Sequence, residues 1–233
     1  MTVPDACRIE RVTDYSTVAA VAARFRRHRS AQLLLAGTAV VIVLRIGLGS
    51  TGSVGWSVAD AVAAGISLAA VGPVEWFAHN VLFHAPAVSR RSRLLGAGAS
   101  HRRHHRDPTD LDWVVLDPKG ARALMIAVAV LVTAWSVPAG LVAGPSPIGP
   151  YLTAVAIGWA AIANYEWTHL LVHSGYRPRS RFYRRLARNH RLHHYRNERY
   201  WLGVTTNVGD RLFGTLPGHD DAVPLSETAR TLQ

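Results

Sequence analysis

Ten of the chain's 12 histidines fall into four clusters with metal-ligand spacing. They are His79 and His84 (HxxxxH), His101, His104 and His105 (HxxHH), His169 and His173 (HxxxH), and His190, His193 and His194 (HxxHH). On an α-helix, residues i, i+3 and i+4 share one face with Cβ atoms about 5–6 Å apart. Each HxxHH is therefore expected to point three imidazoles one way, and HxxxH two. HxxxxH places its pair about 140° apart on a regular helix, which predicts a bend or a helix end near His84. Imidazole is the commonest metal ligand near neutral pH. The single cysteine, Cys7, excludes a disulfide scaffold, a thiolate zinc finger and a CxxC redox site, each of which needs at least two. His28 and His219 stand apart from the clusters and read as ordinary histidines.

The clusters repeat one layout. Each half of the chain has an apolar hairpin, then Glu-Trp (Glu75-Trp76 and Glu166-Trp167), a histidine pair, an arginine-bearing stretch, and HxxHH. The step from His84 to His101 equals the step from His173 to His190, 17 residues. This predicts two pseudo-symmetric half-sites, one made of His79, His84, His101, His104 and His105, the other of His169, His173, His190, His193 and His194. Five ligands exceed the four usual for structural zinc and favour a five- or six-coordinate ion, iron first, with zinc kept open. Glu75 precedes His79 by four residues and Glu166 precedes His169 by three, so each is expected to accept a hydrogen bond from a ligand imidazole and fix its tautomer.

These ligands need elements to hold them. No residue from Ala123 to Tyr165 is charged, a run of 43 with Gly144-Pro145-Ser146-Pro147-Ile148-Gly149-Pro150 at its middle. A membrane span takes about 20 apolar residues, so the run predicts spans near 124–143 and 150–170. Weaker apolar runs predict two more near 31–50 and 57–78, with Arg45 snorkelling to the interface rather than pairing with Asp60. The formal net charge is +11, with 25 arginines and one lysine, Lys119; all of these but Arg45 lie before the first span, between the second and third, or after the fourth. The positive-inside rule puts those segments and both termini in the cytoplasm. The charge thus reads as a topology signal satisfied by lipid headgroups, with no nucleic-acid partner. Val18, Val21, Ala22 and Phe25 at helical spacing among arginines predict an amphipathic surface helix. The expected fold is an all-α membrane protein: about four transmembrane helices in two hairpins under a cytoplasmic histidine-rich helical cap. Its expected parts are residues 1–30 (amphipathic segment), 31–220 (membrane catalytic domain) and 221–233 (tail). The arginine-to-lysine ratio points to a GC-rich bacterial genome and so to a bacterial cytoplasmic membrane.

At these residues the chain resembles the fatty acid hydroxylase/sterol desaturase superfamily of membrane di-iron enzymes, whose histidine order is HxxxxH, HxxHH, HxxxH, HxxHH. The resemblance covers roughly residues 75–215 and is strongest to the fatty acid 2-hydroxylase branch. That branch's HxxHHxxPxD matches His101 through Pro108 and Asp110. Its closing motif matches His190-x-x-His193-His194-Tyr195-Arg196-Asn197, Gly203-Val204-Thr205 and Asp210-x-x-Phe213-Gly214-Thr215. Gly209 stands where the branch has tryptophan and Asn80 where it often has arginine, departures expected to bear on substrate fit. The resemblance implies that the ten histidines hold two metals, with Glu75, Glu166 and Asp110 supporting them. O2 is reductively activated and hydrogen is taken from an unactivated C–H of a lipid, a fatty-acyl chain above all, giving an alcohol or a double bond. No flavin or nicotinamide fingerprint and no cytochrome b5 domain is read in the sequence, so electrons are expected from a separate ferredoxin or b5-type protein. Alternatives at this stage are a carotenoid or sterol oxygenase of the same superfamily, a hydrolytic di-zinc enzyme, and a membrane metal-binding or transport protein.

Overall fold

The computed structural model describes residues 12–86, 89–90, 97–218 and 221–232. Cys7, Arg91, Arg93 and His219 lie outside them. All regular structure among the described residues is helical. After a 3₁₀ turn at Val12–Tyr15 come α1 (Val18–Arg27), α2 (Arg29–Ser50) and α3 (Val58–Phe77), which continues as a π-helical turn at Ala78–Phe83. Then follow α4 (Ala97–Arg106), α5 (Pro118–Ala143), α6 (Ile148–His173), α7 (Arg181–Tyr195) and α8 (Val208–Leu212).

The long helices start where the sequence supplies caps. Ser57 and Asp60 form a reciprocal capping box at the start of α3. The Asp117 side chain accepts from the backbone of Lys119 and Gly120, with Pro118 in the first turn of α5. Ser180 caps α7. His28, between α1 and α2, accepts from Ser30 N–H.

Helices α2, α3, α5 and α6 form the bundle, with α6 packed against the other three. Its core is made of small and branched side chains: Val41, Ala63, Val132, Ala154 and Val155 in one layer, Leu34, Met125 and Ala163 in the next. Three helical stretches are long and apolar enough to cross a membrane by length and composition: Arg29–Ser50, Val58–Phe83 and Pro118–Ala143. The sequence predicts a fourth, α6. It matches α5 in length at 26 residues but is not among those three. Its second half carries Asn164, Glu166, His169 and His173, and it is the bundle's interior helix.

Two expectations change. Arg45 does not snorkel. It is buried, and its guanidinium bonds Asp60 Oδ1 at 2.9–3.0 Å, donates to Val54 O, and lies 3.7 Å over the Trp56 ring. Thr153 of α6 also donates to Asp60 Oδ1, at 2.9 Å. A buried arginine with a carboxylate in reach pairs with it, because an unpaired charge there is far costlier. The amphipathic helix α1 also differs from the lipid-lying helix expected. Val21 and Phe25 are buried in a cluster with Leu111, Val114, Val115, Leu170 and Leu171, so the protein itself covers that face.

Asp60→Ala should lower the thermal midpoint in detergent by an amount equivalent to about 3–5 kcal/mol, because Arg45 stays buried without its partner. Replacing Arg45 and Asp60 together with leucine should recover most of that loss. Equal melting of the single and double variants would count against a charge-pairing role.

Candidate metal centre

The HxxxxH spacing is resolved by the π turn. In a π-helix the backbone bond runs from i+5 to i, and His84 N–H donates to His79 O at 3.1 Å. The two rings, opposed on a regular helix, are thereby brought to 4.8 Å between centroids. The other clusters sit on α4, at the end of α6, and on the last turns of α7.

The ten imidazoles converge in two groups. His79, His84, His101, His105 and His193 form one; His104, His169, His173, His190 and His194 form the other. Within each group one ring nitrogen per residue lies within 4.8 Å of all the others. Two groups of five were expected, but their membership is corrected: each HxxHH helix lends its middle histidine to the opposite group. The reason is helical geometry. Positions i and i+4 differ by about 40°, whereas i+3 lies about 100° from i+4. His101 and His105 thus face one group and His104 the other; His190 and His194 face the second and His193 the first. The two sites are interlocked, not one per half-chain.

The contacts are those of a coordination sphere. Nε2 of His79 and His101 are 3.1 Å apart, those of His101 and His105 3.2 Å. In the second group His104 Nε2 lies 3.1 Å from both His173 and His194 Nε2, and His190 Nε2 lies 2.7 Å from His173 Nε2 and 3.0 Å from His194 Nε2. With metal–nitrogen bonds of about 2.1 Å, neighbouring ligands at right angles are about 3 Å apart. The Nε2 atoms of His84, His169 and His193 are buried with no protein hydrogen-bond partner. Two ions therefore fit the residues present.

Backbone carbonyls fix the ring orientations. A carbonyl only accepts, so Nδ1 must carry the proton and Nε2 is left for a metal. His79 Nδ1–H donates to Leu202 O (2.5 Å), His105 to Ala229 O (2.7 Å), His173 to Pro108 O (2.9 Å) and His193 to Tyr200 O (2.9 Å).

The carboxylates work one step further out than expected. Glu75 accepts from Val204 N–H, Thr205 N–H and the Thr205 hydroxyl. It thus secures the loop that presents Leu202 O rather than bonding an imidazole. Glu166 accepts from Leu116 N–H at 2.9 Å. Asp110 accepts from Asp112 N–H in the turn that follows Pro108. Asp210, quoted in the sequence motif without a role, accepts from Leu202 N–H, Gly203 N–H and the Thr215 hydroxyl. Gly203 is required there, since a Cβ would lie 2.0 Å from Thr206 O. Gly209 does not shape a substrate pocket. A Cβ on it would meet Trp76 Cβ at 2.4 Å, and the Trp76 indole stacks on Phe213 at 4.2 Å. It lets α8 close against α3.

Within the expected tail 221–233, residues 223–232 close on the centre. Besides the Ala229 bond to His105, Arg230 donates to His105 O and Arg106 O. Arg196 donates to Val223 O, Asn197 to Pro224 O, and the Thr228 hydroxyl to Glu198. These are mostly backbone carbonyl contacts, and no residue type announces them in sequence.

Burial keeps the rings neutral. It drives the pKa of His84, His101, His104, His190, His193 and His194 well below the usual 6.5, and that of His105 down to about 3. Below 6.5 the unfolded chain takes up protons that the folded cap refuses. Their contribution to stability is therefore full above 6.5 and is lost as pH falls from there toward about 3. Metal-free protein should melt at a lower temperature at about pH 5 than at about pH 7.5. A pH-independent midpoint would contradict the neutral burial.

The interlocking has its own test. His101→Ala with His193→Ala strikes one group, so about one ion per chain should remain by metal analysis. His101→Ala with His190→Ala strikes both groups and should leave almost none. Almost no metal in either variant would restore one site per half-chain.

Known proteins bear on this arrangement. A solved structure of Scs7p, in which only the hydroxylase domain is visible, superposes with a TM-score of 0.64 at 24% identity, covering 88% of this chain and 72% of that one. It shares the fold. A dihydroceramide fatty acyl 2-hydroxylase, FAH2, of Arabidopsis thaliana is 29% identical over 145 residues, 62% of this chain and 56% of its own length. The fatty acid 2-hydroxylase of Homo sapiens is 28% identical over 144 residues, 61% of this chain and 36% of its own. The chain thus spans about half of the plant relative and about a third of the human one. The family model for fatty acid hydroxylases matches residues 62–215, which takes in all ten clustered histidines, and the chain belongs to the fatty acid hydroxylase family.

Proposed function

We propose that this protein is a membrane-bound di-metal oxidoreductase that uses O2 to hydroxylate a C–H bond of a fatty-acyl lipid. The observation that carries the reading is the place of the histidines at the end of an apolar cavity. The cavity, about 320 Å³, runs between α3, α5 and α6 from Ser67 and Trp135 to Phe83 and Tyr165. That volume is in the range of ligand pockets. Phe83 and Tyr165 also line a small void beside His101 and His169, so these two side chains divide the apolar cavity from the ligand rings.

The division of labour follows. The cavity holds an extended apolar chain and excludes water, so a C–H bond, which offers no polar handle, is selected by position. The Tyr165 hydroxyl is buried without a protein partner at the junction, where its O–H is placed to donate to a polar group of the substrate. The π turn and the carbonyl-anchored rings hold two ions without rearrangement, and iron is favoured over zinc by five nitrogens per group. When bound, the ions supply the redox activation of O2 that no side chain of this protein provides.

In this reading α6 crosses the bilayer as a fourth span, and the arginine distribution puts the histidine cap in the cytoplasm. The catalytic unit extends through residue 232, because residues 223–232 close over His105. Reducing equivalents come from a separate protein of ferredoxin or cytochrome b5 type.

The test is to load purified protein with iron or zinc and supply dithionite, ¹⁸O-labelled O2 and saturated acyl lipids. Iron-loaded protein should place labelled oxygen in the acyl chain, and omission of reductant should abolish it. Zinc-loaded protein turning over a lipid without reductant would sink the oxygenase reading. Ala161→Trp should fill the cavity and lower kcat/KM for long chains about tenfold or more with metal content unchanged. Unchanged kcat/KM would remove the acyl chain from this cavity.

A further inference from the structure

The proposed reaction converts R–H and O2 to R–OH and H2O, and it consumes two electrons and two protons. In the proposed reading the electrons reach the histidine groups from a separate redox protein. The two faces of α7 bear on how they arrive. Its buried face carries Leu186, Ala187, Asn189, His190, His193 and His194. Its exposed face carries Arg181, Arg184, Arg185, Arg188 and Arg191, and the helix contains no Asp or Glu. At about 100° per residue the centre of the arginine stripe lies about 160° from that of the three histidines.

The orientation follows from the ligands. His190 and His194 meet His169 and His173, which end α6, while His193 meets His79 and His84, which end α3. The buried side of α7 thus faces the ends of the long apolar helices, and the arginine side faces away from them. A lipid surface enclosing those helices lies on the wrong side to neutralise the stripe. Arg184 donates to Arg179 O. The ion pairs found among the described residues, Arg24 with Asp112 and Arg45 with Asp60, involve none of the five arginines. Tyr195 lies exposed on the arginine side of the same helix, at 49%. A body docked on this face sits about 10 Å, one helix diameter, from both ligand groups, with no second helix between.

We propose that the arginine face of α7 docks an acidic one-electron redox protein, which reduces the centre through that single helix in two successive one-electron deliveries per turnover. This rests on the oxygenase reading and adds the entry point. Five cations with no ion pair among the described residues suit a partner whose acidic patch surrounds its redox group. Tyr195, at the C-terminal end of the stripe, adds one exposed aromatic ring to such a contact.

The experiment uses full-length protein in phosphatidylcholine nanodiscs and a reduced acidic [2Fe–2S] ferredoxin as the probe. Glutamate replaces Arg181, Arg185, Arg188 and Arg191 in one variant, lysine replaces the same four in a second, and Arg26→Glu with Arg27→Glu on α1 is the control off the stripe. The glutamate variant should bind ferredoxin about tenfold or more weakly at about 50 mM salt. It should also lose the steep salt dependence and be reduced correspondingly slowly by ferredoxin, yet at the normal rate by dithionite. The lysine variant and the control should stay within about threefold of the parent. Unchanged binding in the glutamate variant, or an equal loss in the control, would overturn the proposal. So would a variant that loses affinity only for phosphatidylglycerol vesicles, because the face would then belong to a lipid surface. Dithionite-driven lipid oxidation on the same samples separates the two ideas. Failure there with ferredoxin binding intact removes the oxygenase reading and leaves the docking face standing.

Discussion

Ten imidazoles, eight of them buried, converge at one place, and backbone carbonyls fix the nitrogen assignments of four of them. Burying polar nitrogens is unfavourable unless each is bonded. Four Nδ1–H groups are satisfied by carbonyls of Leu202, Ala229, Pro108 and Tyr200. The facing Nε2 lone pairs then have only one another at about 3 Å, an arrangement that cations relieve. The rest of the fold supplies those carbonyls. Glu75 and Asp210 clamp the loop that presents Leu202 from opposite sides, and α8 closes against α3 through Gly209. Residues 223–232 are held by Arg196 and Asn197 so that Ala229 reaches His105.

The histidines that converge were legible in the sequence because histidine clusters are rare and their spacing has direct angular meaning. So were the apolar helices, since an uncharged run of 43 residues has few other readings. Group membership was not legible. A helical wheel says that His101, His104 and His105 share a broad face, but the angle between i+3 and i+4 is wide enough to serve two centres. The side to which each ring turns depends on the partner helix. The π turn was foreseen only as a departure near His84. The insertion satisfies a requirement imposed by the other eight rings, and no local propensity encodes it.

Arg45 shows a different limit. Snorkelling and pairing are both open to an arginine near a helix end, and which prevails depends on whether a carboxylate is in reach within the folded bundle. Asp60 lies fifteen residues away in sequence, across the turn from α2 to α3. Thr153 from α6 and the Trp56 ring complete the enclosure. The end of the bundle remote from the histidines is thereby held by charge and hydrogen bonds. The middle, by contrast, is left to small apolar side chains and the cavity. A cavity beside the reacting centre weakens packing there, and a polar lock at the opposite end offsets part of that loss without narrowing the space.

The exchange of His104 and His193 ties the two histidine groups together mechanically. Each HxxHH helix is a rigid body that contributes to both groups, so α4 and α7 cannot shift without disturbing all of the rings they carry. One site per half-chain would let either half move independently. The interlocked form makes the separation between the groups a property of two helices and not of a loop, which suits the proposed chemistry. It also means that a force applied to the outer face of α7 reaches both groups through the same backbone. The arginine face and the centre are two sides of one element, so the docking surface is as rigidly placed as the ligands behind it.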